Sequence, residues 1–179
     1  GCRLLATAYS LSTINQSLST NPMNITVLYG GPSADREVSL VAGKAVAKGL
    51  REAGHTVTVI DVRPETLDAD LAHPADVVFP VLHGEWGEDG QLQSILEGRK
   101  IRFVGSGSAA SRLGMNKVET KRAWEKAGLP TPPYRVVGSA SDPVPEEPCV
   151  VKAIDSGSSV DVFVCKGPAE GRVNAAQAV

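Results

Sequence analysis

The sequence predicts an α/β protein: a parallel-sheet domain over residues 24–115, followed by a smaller α+β unit over residues 116–179. Three observations point there. Short β-rich runs alternate with helical patterns as far as Lys126. The proline-rich stretch Leu129-Pro130-Thr131-Pro132-Pro133 then interrupts that alternation with extended chain. Beyond it come strand-like runs separated by a polar turn, as in an antiparallel sheet.

Residues 1–22 are rich in Ser, Thr, Leu and Asn without a strong period, and 1–23 is expected to be a disordered leader. Its apolar part is too short, and its basic part is a single Arg3, for a secretory signal. Met23 stands just before the first good strand.

Ile25 to Tyr29 is that strand, closed by Gly30-Gly31-Pro32. Then Val38, Val41, Ala42, Ala45, Val46, Leu50 and Ala53 recur at helical spacing, and Gly54 supplies the stop. Val57 to Ile60 is the second strand. Arg63 to Pro74 is a polar connection with room for one helical turn. Val77 to Leu82 is the third strand. Leu92, Ile95 and Leu96 give the next helix one apolar face, with Gly98 at its end. Ile101 to Val104 is a fourth strand. Asn116 caps the next helix, with Glu119 in the capping-box place and Gly128 as the stop. Tyr134–Val137, Cys149–Lys152 and Val160–Lys166 complete a second sheet of three strands.

The chemistry concentrates in Val81-Leu82-His83-Gly84-Glu85-Trp86-Gly87-Glu88-Asp89-Gly90. A strand ending in a glycine-punctuated polar loop that feeds a helix is where open α/β sheets place ligands. Trp86 is either a lid or a packing residue, and Trp124 is expected in the core. Glu88 is placed to orient His83. Asp89, near a helix start, is stabilising there whether or not it does anything else, so it is left off the catalytic set.

A second centre is the polar hairpin Asp155-Ser156-Gly157-Ser158-Ser159, entered from Lys152. Small tip residues leave backbone N–H groups for phosphate oxygens, and a lysine adds a point charge. Lys117 starts a helix, where a cation is electrostatically unwelcome unless it meets an anion.

Other chemistries lack support. Net charge is -2 and aromatics are 4%, which argues against a nucleic-acid or membrane-surface partner. No apolar run is long enough to span a bilayer. Three cysteines without a CxxC pair fit a reducing cytoplasm. The histidines show no zinc spacing, and neither a Walker A string nor a G-x-S-x-G elbow occurs. Gly105 to Ala110 fits G-x-G-x-x-A, but after the fourth strand rather than the first, so a nicotinamide site is not expected.

Several strings together resemble the D-alanine–D-alanine ligase family of the ATP-grasp superfamily. They are Gly30 to Leu40, Leu82-His83-Gly84 with Gly87-Glu88-Asp89-Gly90, and Gly105-Ser106-Gly107. Met115-Asn116-Lys117, Ala127 to Pro132, and Val151-Lys152 with Gly157-Ser158-Ser159-Val160 complete the set. Order and spacing match over about residues 24–165. The resemblance implies a Rossmann-like N-terminal domain followed by an incomplete ATP-grasp subdomain.

It also implies ATP- and magnesium-dependent joining of two D-alanines through an acyl phosphate, for peptidoglycan, by a cytoplasmic homodimer. Asp35 and Ser158 become the catalytic candidates. Asp35, Val38, His83 and Glu88 would bind the first D-alanine. Lys117, Lys152, Gly157, Ser158 and Ser159 would bind ATP. Magnesium ligands are expected beyond residue 179, so the 179-residue chain is expected not to turn over alone. The alternatives are a D-alanine–D-lactate or D-alanine–D-serine ligase, and a non-catalytic binding module.

Four positions depart from the family pattern. Asp35 stands for Glu, Ala153 for Pro, Ser156 for an acid and Asp161 for Gly. The shorter Asp35 alters reach to the substrate amine. The added acid at 161 is expected to repel phosphate.

Overall fold

In β1 (Asn24–Gly30), side chains that alternate along the strand feed two separate cores. Ile25 and Val27 point to one face, where α1 (Arg36–Glu52) lies with Ala42, Val46, Ala47 and Leu50. Leu28 points to the other, against α3 (Gln91–Gly98) with Leu92 and Leu96. The flanking strands β2 (Thr56–Val62) and β3 (Val77–Pro80) repeat the division: Val57, Val59, Val77 and Phe79 face α1, whereas Ile60, Val62 and Val78 face α3. Both faces of the parallel sheet are covered, which is why Ile25, Thr26, Val27 and Leu28 of its central strand are all buried. The computed structural model describes residues 21–72, 75–139, 142–157, 161–171 and 173.

The sheet order is β2-β1-β3, all parallel. The connection from β2 to β3 includes the one-turn α2 (Leu67–Asp70), whose Leu67 is buried in the α3-side core. The expected fourth strand shortens to a single parallel bridge, Val78 with Phe103. Lys100 just before it holds φ 57 and Gly105 just after it φ 124, so only a brief extended stretch lies between. Lys100, not Gly98, supplies the left-handed residue after α3.

α1 packs in a different phase from the one its valines predict. Val38 and Val41 are 58% and 71% exposed, whereas Ser39, Gly43 and Ala47 are buried. These three small residues at i, i+4 and i+8 let helix and strand approach closely. A Cβ at Gly43 would stand 2.5 Å from Tyr29 Cβ. Gly54 takes φ 91 and ends the helix as expected.

α4 (Ser108–Met115) and α5 (Lys117–Lys126) meet at Asn116, which is the last cap of one and the first of the other. Its side chain accepts from Val118 N and Glu119 N. The expected capping box is half made, because the Glu119 carboxylate pairs with Arg122 instead. Trp124 is 44% exposed rather than in the core. The segment after α5 has no helix or strand and is pinned sideways: Lys121 Nζ donates to Thr131 Oγ1 and Pro132 O and sits 5.1 Å from the Tyr134 ring centre.

Tyr134–Val137 is not a strand, since it has no ladder partner among the described residues. The second sheet is therefore two-stranded, β4 (Cys149–Lys152) antiparallel to β5 (Val162–Cys165). Cys149, Val151, Phe163 and Cys165 form its inner face, and Val150, Lys152, Val162 and Val164 its exposed one. No helix among the described residues is long and apolar enough to cross a membrane.

Candidate functional site

Strand order decides where a ligand fits. From β1 the chain crosses to β2 on one side and then to β3 on the other, so the crevice at the C-terminal ends of β1 and β3 is the topological switch point. Two loops leave it, residues 31–35 and 81–90.

Ser33 clasps these loops together. Its hydroxyl donates to His83 O at 2.6 Å and accepts from Asp35 N at 3.2 Å. A Cβ on Gly84 would stand 3.3 Å from Ser33 Cβ and 3.5 Å from Asp35 Oδ2, and Gly84 has φ 69. Glycine meets both demands with the least strain. Asp35 and His83 thus come to one corner although 48 positions separate them in sequence. Beneath the clasp lies the fully buried Ser39. Its Oγ accepts from Gly30 N at 2.8 Å and donates to Val81 O, tying the β1 end to the β3 end. Val38 is exposed one turn into α1.

Glu88 curls back under His83. Its Oε2 accepts from Gly84 N at 2.7 Å, and its Oε1 lies 4.0 Å from His83 Nδ1. His83 Nε2 is buried and has no hydrogen-bond partner among the described residues. A buried nitrogen left unpaired is costly, and a ligand oxygen would satisfy it.

Trp86 is a packing residue, 5% exposed, in the α3-side core. It holds φ 67, a left-handed conformation unusual for a bulky side chain. Asp89 fixes that turn by accepting from Trp86 N, Gln91 N and Gln91 Nε2. Burial pushes the Asp89 carboxyl up, but these bonds together outweigh it and hold it below the ordinary aspartate range.

At the second centre, Lys117 opens α5 and touches the turn that follows β4. Its Nζ donates to Ser156 O at 2.6 Å, and its backbone N donates to Ile154 O at 2.9 Å. Burial, then the neighbouring Lys152 ammonium, pushes Lys117 below the ordinary lysine range, with Asp155 opposing. Two like charges kept close, with Asp155 offsetting them only in part, form a site that gains from an anion. Lys152 and Gly157 flank the same turn. Ser158 and Ser159 lie outside the described residues.

Asp161 adopts φ 52. A left-handed residue at this position explains a glycine preference, and aspartate is among the few side chains that tolerate the conformation. A cleft of about 450 Å³ lined by Glu85, Asp89, Arg112, Met115, Asn116 and Asp155 lies where the β3 loop, the α4–α5 joint and the β4 turn converge.

The glycine string at 105–110 holds no phosphate-ready helix end. The Glu97 carboxylate accepts from Ser108 N and Ser108 Oγ and fills the start of α4, and a Cβ at Gly107 would meet it at 2.7 Å.

A family model described as "D-ala D-ala ligase N-terminus" matches residues 62–106, the stretch from the end of β2 through the His83 loop. A D-alanine--D-alanine ligase from Ruegeria pomeroyi is 42% identical over 161 residues, covering 88% of this chain and 52% of that protein. The chain belongs to the D-alanine–D-alanine ligase family. Another member, from Geobacter sulfurreducens, is 45% identical over 151 residues, covering 82% of this chain and 48% of that one. Among solved structures, D-alanyl-alanine synthetase A from Vibrio cholerae superposes with a TM-score of 0.71 at 25% identity, over 88% of this chain and 56% of that one. D-alanine--D-alanine ligase from Bacillus anthracis gives 0.69 at 27%, over 83% and 50%. This family member spans about half the length of the curated relatives it matches.

The roles of Ser33 and Ser39 were not assigned from sequence. Both stand inside the Gly30–Leu40 string, and a small hydroxyl residue beside a tight turn is the available signal. The Glu97 cap of α4 had no signal, because its two ends are 11 positions apart.

Proposed function

We propose that this chain contributes the first-substrate corner and one side of the phosphate site of an ATP-dependent ligase that joins two D-alanines for peptidoglycan synthesis. The observation that carries the proposal is the Ser33 clasp, which gathers Asp35, His83 and Glu88 at the sheet's switch point. An α-amino acid presents an ammonium and a carboxylate a short distance apart. Asp35 is the acid for the ammonium. His83 Nε2, without a partner among the described residues, is the donor for the carboxylate, with Glu88 steadying the ring from its far edge. Val38, at the rim, meets the substrate methyl.

Lys117 and Lys152, with the backbone of Gly157 and the side chains of Ser158 and Ser159, take the ATP phosphates. ATP activates the first carboxylate by phosphorylation, and the second amine attacks the resulting acyl phosphate. Charge spreads over the transferring phosphoryl group in that step, where fixed cations and backbone donors lower the barrier. Asp35 and Ser158 are the residues assigned to hold and hydrogen-bond the reacting groups. Among the described residues no group of three or more His, Cys, Asp or Glu side chains is arranged to hold a metal ion. The proposed division falls at residues 115 and 116, where Asn116 joins α4 to α5. The working form we infer is a cytoplasmic homodimer.

D-alanine titrated into the chain and followed by NMR tests the first-substrate corner. Binding of D-alanine over L-alanine is expected, weakened about 10- to 100-fold by His83→Ala or Asp35→Ala, since each removes a charge-assisted contact. Equal binding of both enantiomers, or an unchanged affinity in both folded variants, would overturn it. ATP affinity measured with Lys152→Ala tests the phosphate site, and an unchanged value would remove that part of the proposal.

A further inference from the structure

Cys149 opens β4, Cys165 closes β5, and the two are direct partners in the antiparallel register. Ala153 N donates to Asp161 O at 3.3 Å, which marks 153 and 161 as a hydrogen-bonded pair. Hydrogen-bonded and non-hydrogen-bonded pairs alternate along such a ladder, so 151 with 163 is non-adjacent and of the same kind, and so is 149 with 165. Pairs of this kind hold their Cα atoms about 5.5 Å apart. That lies inside the roughly 4.4–6.8 Å range a disulfide spans. Both side chains lie on the inner face of the sheet, Cys165 buried and Cys149 half-buried. The thiols already sense each other: burial, followed by the nearby Cys165, pushes the Cys149 thiol above the ordinary range.

We propose that Cys149 and Cys165 are a redox modification site that closes reversibly into a cross-strand disulfide and staples the β4–β5 hairpin. The proposal stands independently of the ligase assignment. The oxidant is a low-molecular-weight disulfide. Cys149, the more accessible sulfur, attacks one sulfur of that disulfide as the thiolate, and one small thiol leaves. The Cys165 thiolate then attacks the Cys149 sulfur, and the second small thiol leaves. Two protein thiols lose two electrons and two protons, and the small disulfide is reduced to two thiols. Only the thiolate attacks, so while the Cys149 step limits the rate, formation of the staple accelerates about tenfold per pH unit below the Cys149 pKa. The staple fixes the strand that carries Lys152 three positions further on.

The test uses the 179-residue chain carrying Cys2→Ser, incubated with oxidised glutathione and mapped by non-reducing peptide mass spectrometry. A Cys149–Cys165 linked peptide is expected. It should form with the stated pH dependence, be absent in Cys149→Ser, and reopen with dithiothreitol. In concentrated guanidinium the closure step should slow about tenfold or more, because folding no longer holds the sulfurs together. A glutathione adduct on Cys149 that never closes, or closure as fast in the unfolded chain as in the folded one, would overturn the proposal.

Discussion

Val27 in β1 is sealed from solvent, whereas Val164 in β5 is 76% exposed, although both lie within strands. Val27 has a sheet neighbour on each side and a helix over its face. Val164 has one neighbouring strand, and its side chain points away from the inner face. The difference teaches where this chain gets its stability. The parallel sheet closes two cores with its own helices and so fixes the Asp35–His83 corner. The hairpin keeps its order through the β4–β5 ladder and the hold of Lys117 on the turn after β4.

The comparison breaks if the two regions respond alike to truncation. Leu92→Ala should cost about 2–5 kcal/mol in denaturant unfolding, as expected for a fully buried leucine. Val164→Ala should stay within about 0.5 kcal/mol, as for an exposed site. Comparable losses from the two variants would end the distinction.

Ser39→Ala comes next in size. It strands Gly30 N and Val81 O inside the protein, and about 1–3 kcal/mol of stability should be lost. The accompanying loosening of the β1 and β3 ends should weaken D-alanine binding too. Chemical shifts of the Lys117–Ser156 contact should not move, since that contact belongs to the other region.

Lys117 sharpens the comparison from the hairpin side. Its lowered pKa makes it a better nucleophile near neutrality than an ordinary lysine, so an amine-acylating probe should label it several-fold faster than exposed Lys48, and phosphate or ATP should protect it. Lys152→Ala removes the second cause of the lowering and should slow labelling. The pH dependence has a definite sign. The unfolded chain binds the Lys117 proton more tightly than the folded one, so this group's contribution to stability rises with pH between its lowered and ordinary values. Faster labelling in Lys152→Ala would contradict the assigned cause.

The smallest effect belongs to Asp161. Asp161→Gly relieves a left-handed aspartate and should raise hairpin stability by about 1 kcal/mol or less, provided that the added freedom of the unfolded chain does not cancel it. A clear loss on this change would mean that the Asp161 side chain holds the turn.

Much of the parallel sheet was legible because its elements are long and periodic, and Gly54 and Gly128 stop helices as local signals should. The phase of α1 differs for a physical reason: apolar spacing favours Val38 and Val41, while close approach to the sheet favours small residues, Gly43 against Tyr29, Ser39 between Gly30 and Val81, and Ala47 in the core with Ile25 and Val27. Residues 134–137 look like a strand locally, but a strand is a pairing, and whether a partner exists is not written in the segment itself. The site followed the same pattern. His83 stood out by residue type and loop context and Asp35 only through the family resemblance, whereas the Ser33 hydroxyl that gathers them acts across 50 positions and left little local trace.

Asn116 has a mechanical consequence. One residue ends α4 and begins α5, so the chain has no slack there, and its amide side chain holds the first turn of α5 rigidly to it. A joint of one residue pivots chiefly about its own two torsions. Any swing of the Lys117 side relative to the sheet therefore turns about Asn116, and Lys117, the next residue, sits beside that pivot.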